Sequence, residues 1–122
     1  MKLTFVEAPW FTERLKARMD DDSYRAMQNE IAEQPEKGRV MPGCGGLRKL
    51  RVADPSRGKG RRGGLRVIYL HIPEACRVDF FDVYGKDEKD DLTPKEKKAL
   101  ADFAKRVRRE AIETFRASGG LS

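Results

Sequence analysis

The sequence has no run of about 18 apolar residues, so no segment reads as a membrane-spanning helix. Its first stretch, MKLTFVEAPW, carries Glu7 and Pro9 where a secretory signal needs unbroken apolar residues, and a cytoplasmic location with no membrane contact is expected. Cysteine is scarce. Cys44 and Cys76 lack CxxC or Cys/His spacing, which points to two reduced thiols, and no metal or cofactor is expected. His71 is the single histidine, which excludes a two-histidine acid–base pair, and its mid-strand position suits a packed structural role. There is no internal repeat, and GKGRRGG lacks the GxxxxGK[ST] spacing of a triphosphate-binding loop. With 122 residues, 39% of them apolar, one compact domain over 1–122 is expected.

What the chain has in abundance is charge, 38% of residues, with a net of +6. Its distribution is uneven. Arg48, Lys49, Arg51, Arg57, Lys59, Arg61, Arg62 and Arg66 fall within nineteen residues against Asp54 as the single acid, a local net of +7 that leaves the rest of the chain near neutral. A localised positive field suits a polyanion, and the polyanions of a cell interior are mostly nucleic acid. The plain alternative is a solvated charge run. Arg48, Arg57, Lys59, Arg61 and Arg62 are the candidate RNA-binding residues, the last four on a Gly-rich loop from Ala53 to Gly64 that is too charged for a core element.

Periodicity supplies the elements. Lys2 to Val6 is short and β-prone, and Pro9 opens a helix with Phe11, Leu15 and Arg18/Met19 at helical spacing. Asp20 to Asp22 then cap a second helix with Tyr24, Met27 and Ile31 on one face, stopped by Pro35 and Gly38. After the turn Gly43 to Gly46, Leu47 to Val52 alternates, with Leu50 and Val52 on one side and Lys49 and Arg51 on the other. Leu65 to Ile72 and Arg77 to Tyr84 are β-rich runs joined by Pro73-Glu74-Ala75, an antiparallel pair by expectation. If the strands are neighbours, Asp82 and Tyr84 share the side of Lys49 and Arg51. Thr93-Pro94-Lys95-Glu96 combines an N-cap hydroxyl, a first-turn proline and a capping-box glutamate; Leu100, Phe103, Ala104, Val107, Ala111 and Phe115 continue the helix to Gly119-Gly120. The order βαα-βββ-α predicts an α+β domain, a mostly antiparallel sheet with helices packed on one face.

The block GCGGLRKLRVADPSRGKGRRGGLRVIYL from Gly43 to Leu70, followed by VYGKDEKDDLT from Val83 to Thr93, resembles the RelE/HigB toxin superfamily, in its HigB-like branch. The likeness covers most of the chain, including the element order. It implies the toxin of a type II toxin–antitoxin system: a ribosome-dependent, metal-independent messenger-RNA endoribonuclease acting in the ribosomal A site. Its implied partners are the ribosome, mRNA and a cognate antitoxin, often of helix-turn-helix type.

Such chemistry asks little of the protein beyond charge and position, because RNA carries its own nucleophile, the 2′-hydroxyl beside the scissile phosphate. The protein must help remove that proton, stabilise the extra negative charge of the phosphorane, and support the departing 5′ oxygen. Arginine forks suit the middle task, and a lysine amid other cations suits the first. By resemblance Lys49 and Arg51 match the family's basic strand and Arg66 the arginine opening the next one. Arg66 and Arg51 are assigned to phosphate and transition-state stabilisation, Lys49 to proton transfer or phosphate contact, and Tyr84 with Lys86 to base stacking and secondary proton-transfer support. The best-known branch has an arginine after the residue matching Lys86 and a tyrosine farther on, where this chain has Asp87 and, approximately, Thr93. Either the catalytic set differs, with Tyr84 and the Arg57 to Arg62 loop substituting, or the tail aligns otherwise. Two competing functions share the basic strand: a gyrase-inhibiting toxin of the ParE type, and a non-catalytic nucleic-acid-binding module. The presence of Lys49, Arg51 and Arg66 together favours the nuclease.

Overall fold

The computed structural model describes residues 2–54, 64–89 and 91–119. The chain runs β1 (Thr4–Glu7), α1 (Pro9–Lys16), α2 (Asp21–Glu33), β2 (Arg39–Val40), β3 (Arg48–Val52), β4 (Leu65–Ile72), β5 (Arg77–Gly85) and α3 (Pro94–Ala117). The strands form one sheet in the order β1-β5-β4-β3-β2, with β1 parallel to β5 and every other pairing antiparallel. This is the expected mostly antiparallel α+β architecture. The short β2 and the parallel seat of β1 are additions to it.

Local chemistry explains the helix starts. Pro9 occupies the first turn of α1, and the Asp20 carboxylate accepts the Ser23 N–H at 2.7 Å, with Asp21 and Asp22 facing the positive end of α2. At α3 both bonds of the capping box form: Glu96 N–H to Thr93 Oγ1 at 3.1 Å and Thr93 N–H to Glu96 Oε1 at 2.8 Å. The β4–β5 hairpin turns through a short 3-10 segment, Pro73–Ala75, as expected. Its register shifts between Ile68 and Tyr69, a bulge that places one extra residue on β5.

β4 is apolar on both faces, and this decides how the layers stack. Leu65, Val67 and Tyr69 join Phe11, Leu15, Met27 and Ile31 of α1 and α2. Ile68, Leu70 and Ile72 join Ala101, Ala104 and Ala111 of α3 on the opposite face. The helices therefore divide between the two faces, where the sequence reading packed them on one. The physical reason is that a central strand mainly apolar on both faces, Arg66 and His71 apart, must be covered twice. Small residues along α3 let it approach closely, and so does Gly45 at φ +67°, where an added Cβ would lie 3.1 Å from the Ala101 carbonyl oxygen.

β1 covers β5 only from Arg77 to Phe80. Beyond that point α1 takes over the open edge: Ala8 N–H donates to Phe80 O at 3.1 Å, Trp10 Nε1 to Phe81 O at 2.5 Å and Arg14 Nε to Val83 O at 3.0 Å. The exposed carbonyls of an edge strand are thus satisfied within the chain. Arg14 and Arg18 also pair with Glu88, which ties the turn after β5 to α1.

Tyr69 fastens the α2–β2 connection. Its buried hydroxyl donates to Pro35 O at 2.8 Å and accepts the Gly38 N–H at 2.9 Å, and an added Cβ at Gly38 would lie 2.8 Å from the ring. Tyr69→Phe keeps the ring and strands the Gly38 N–H, so it is expected to cost about 1–3 kcal/mol in urea unfolding. A loss below about 0.5 kcal/mol would show that water replaces the hydroxyl there.

Candidate active site

Strand pairing decides which of the predicted residues meet. Arg51 lies directly opposite Arg66, and Arg66 directly opposite Tyr84, so the three form one row across β3, β4 and β5. The next row runs from Arg39 on β2 through Lys49 and Ile68 to Asp82. Side chains directly opposite on a sheet stand about 5 Å apart at Cβ, so Lys49, Arg51 and Arg66 share one face within about 10 Å of each other. That face is the one α3 covers with its body, and the rows lie toward its N-terminal end.

Exposure separates the three cations. Arg66 is buried, 4% exposed, and its Nη1 donates to Gly64 O at 3.0 Å, so its fork is held at a fixed position. Arg51 is exposed and Lys49 half-buried, with Lys49 Nζ 3.5 Å from Asp91 Oδ1. A groove of about 280 Å3 is lined by Lys37, Arg39, Lys49, Leu50 and Arg51, and follows β3 past the point where two-residue β2 stops pairing with it. Four of those five side chains are cationic.

Tyr84 is wholly enclosed, with Lys89 Nζ 5.1 Å from its ring centroid. Its hydroxyl finds no hydrogen-bond partner among the described residues. Burial, with the nearby carboxylates of Asp91 and Asp82, pushes its phenol up to about 12 against the pull of Arg66. A covered ring offers no face to a base, so the expected stacking gives way to a packing role beside Arg66. Lys86 is exposed in the turn after β5, its backbone N–H 3.4 Å from Gly64 O, at the same end of the sheet as Arg66.

Arg48 leaves the group. It is cross-strand from Tyr69 on the α1/α2 face, where its Nη1 donates to Glu36 O at 3.1 Å and Gly38 O at 2.9 Å. On the far face it holds the α2–β2 connection, apart from the row of Arg51 and Arg66. Arg57, Lys59, Arg61 and Arg62 lie outside the described residues. His71, on β4, is half-buried, and burial holds its imidazole below the ordinary histidine range, in keeping with a packed role. Among the described residues no three His, Cys, Asp or Glu side chains gather into a metal-binding group, and no helix is long and apolar enough to cross a membrane.

No family model matches the sequence. Among solved structures, a double arginine-to-alanine mutant of the E. coli toxin RelE in the free state superposes with a TM-score of 0.53. The match covers 74% of this chain and 90% of that one at 15% identity. The fold is RelE-like. On this RelE-like frame the basic strand β3 and the arginine opening β4 come together at adjacent positions.

The sequence reading missed Lys37, Arg39, Asp91 and Lys97. Arg39 belongs to a strand of two residues, too short for any periodicity to show. Lys97 had a usable signal: it stands one helical turn before buried Ala101, and so on the sheet-facing side of α3. It pairs with Asp91 at 3.0 Å. The desolvation of Asp91 works against its charge, yet Lys97, the Leu92 N–H and Lys49 together hold its carboxyl below the ordinary range.

Proposed function

We propose that this chain, a single domain over 1–122, is a toxin of the RelE/HigB kind: a metal-independent, ribosome-dependent mRNA endoribonuclease of the cytoplasm, silenced by a cognate antitoxin. The observation that carries the reading is the convergence of Lys49, Arg51 and Arg66 on one face of adjacent strands. The structural likeness to the toxin RelE supports the same reading.

The proposed steps use the residues of these rows. Message lying along the basic groove brings a phosphodiester to Arg51, with Arg66 opposite it on the next strand. Arg51, exposed, meets the phosphate first. Arg66, buried and pre-set by Gly64, places its fork where negative charge grows as the 2′-hydroxyl attacks the adjacent phosphorus. Because the fork is already ordered, little reorganisation is required when the phosphorane forms. Lys49 takes the 2′ proton as the 2′ oxygen bonds to phosphorus, and Lys86, in the turn after β5, gives a proton to the 5′ oxygen as its bond to phosphorus breaks, which leaves a 2′,3′-cyclic phosphate. Tyr84, a neutral phenol at physiological pH, supports Arg66 from β5. The ribosome supplies the remaining orientation by presenting the A-site codon in an extended form.

Purified ribosomes programmed with a defined message test this directly. Mapped 5′ ends should show cuts within the A-site codon when the protein is added, and an intact message when ribosomes are omitted. An uncut message on programmed ribosomes would remove the nuclease reading.

A further inference from the structure

Asp91 occupies an unusual place. It is an acid inside the basic region, in the short segment that leads from β5 to the N-cap of α3, and one carboxylate meets two lysines from different elements. Its Oδ1 is 3.5 Å from Lys49 Nζ on β3, and its Oδ2 is 3.0 Å from Lys97 Nζ on α3. A third cation, Arg39, lines the same small cavity of about 90 Å3. Arg39 has no acidic partner among the described residues. Three cations around one carboxylate leave a local excess of positive charge, and the apolar part of the lining includes Met41 and Cys44.

We infer that Arg39, Lys49 and Lys97 form a binding subsite for a backbone phosphate of RNA, and that Asp91 is its resident counter-ion, which yields its place to the phosphate. The inference rests on the RNA reading above and adds α3 and β2 to the surface that holds the strand. A phosphodiester carries one negative charge on two free oxygens, as a carboxylate does, so after the exchange each lysine again faces an acceptor oxygen. It also requires little motion. Asp91 is 42% exposed on its side chain and moves by a rotamer change that also gives up the Leu92 N–H held by its Oδ1 at 2.8 Å, while buried Leu92 and the capping box of Thr93 hold the backbone beside it. An ordinary surface ion pair would serve stability alone and contribute little. Two lysines reaching from separate elements to a single acid, beside a third cation, instead describe an anion site already filled by the protein.

The test uses the intact protein and a short, fluorescein-labelled oligoribonucleotide with 2′-O-methyl groups, which removes the nucleophile so that binding is read without cleavage. Anisotropy is followed over a series of salt concentrations. Asp91→Asn is expected to tighten binding by about two- to fivefold, the size of one exposed ion pair. Lys97→Ala is expected to weaken binding and to reduce the slope of log K against log salt by about 0.7, the loss of one phosphate contact to a single strand. Lys98→Ala, one residue on and paired with Asp102 at 3.4 Å, removes the same charge away from the cavity and should change affinity less. Unchanged or weaker binding by Asp91→Asn with an unaltered melting temperature would overturn the subsite, as would equal losses in Lys97→Ala and Lys98→Ala. The two proposals separate cleanly. Cleavage of message without these binding shifts removes the subsite alone, and the binding shifts without cleavage remove the nuclease alone.

Discussion

Arg66→Ala is expected to lower the rate of ribosome-dependent message cleavage by about 10²–10³-fold, the loss typical of removing one pre-set donor from a developing oxyanion. The size follows from where the residue is held. Arg66 is buried in the middle of the row, between Arg51 on one strand and Tyr84 on the other, and its Nη1 is fixed on Gly64 O. A donor already ordered in a site sheltered from water acts more strongly than a mobile surface cation. Arg66→Lys is expected to recover only part of the rate, because a point charge replaces a planar fork. Single-turnover yields of mapped 5′ ends measure both, with melting curves confirming that the sheet is intact. A rate within twofold of wild type for Arg66→Ala would place the chemistry elsewhere.

The largest expected effect on stability lies on the other face of the sheet. Phe80 has no exposed surface and stacks on Phe11 at 5.0 Å and Phe5 at 5.7 Å, with Tyr24 edge-on at 5.8 Å. It joins β1, α1 and α2 to the central strands. Phe80→Ala removes the shared partner of three rings and leaves a cavity that α1 cannot close while its side chains are bonded to the β5 edge. The expected cost is about 3–5 kcal/mol in urea unfolding, a large fraction of the roughly 5–15 kcal/mol that holds a small domain together. A cost under about 1.5 kcal/mol would mean that the aromatic cluster repacks freely. Because the cations occupy the opposite face, cleavage per folded molecule should persist at low temperature. Phe80→Ala and Arg66→Ala thus separate loss of fold from loss of chemistry.

Which face each residue of the candidate site takes is largely legible from spacing alone. Lys49 and Arg51 alternate with Leu50 and Val52, and strand geometry sends the two pairs to opposite faces, as observed. Tyr84 was placed on the same side as Lys49 and Arg51, and the rows confirm that placement. Its burial was another matter, because nothing near Tyr84 in sequence announces that Leu92 and α3 close over that end of the sheet. Arg48 shows the same limit from the other direction. Strand alternation already set it apart from Lys49, but its bonds to the Glu36 and Gly38 carbonyls depend on where the α2–β2 connection passes.

By itself the sequence determined whatever is governed by near neighbours along the chain. That includes the capping box of α3, the first-turn proline of α1, the Asp20 cap of α2, the β4–β5 turn and the two-residue alternation of β3, each settled by bonds or faces spanning a few residues. Only the tertiary structure decided that α3 covers the second face of β4, that β1 lies parallel to β5, and that Asp91 reaches both Lys49 and Lys97. These rest on contacts between distant segments. The apolar run of β4 shows locally that both of its faces need cover, but which element covers each follows from the space the rest of the chain leaves.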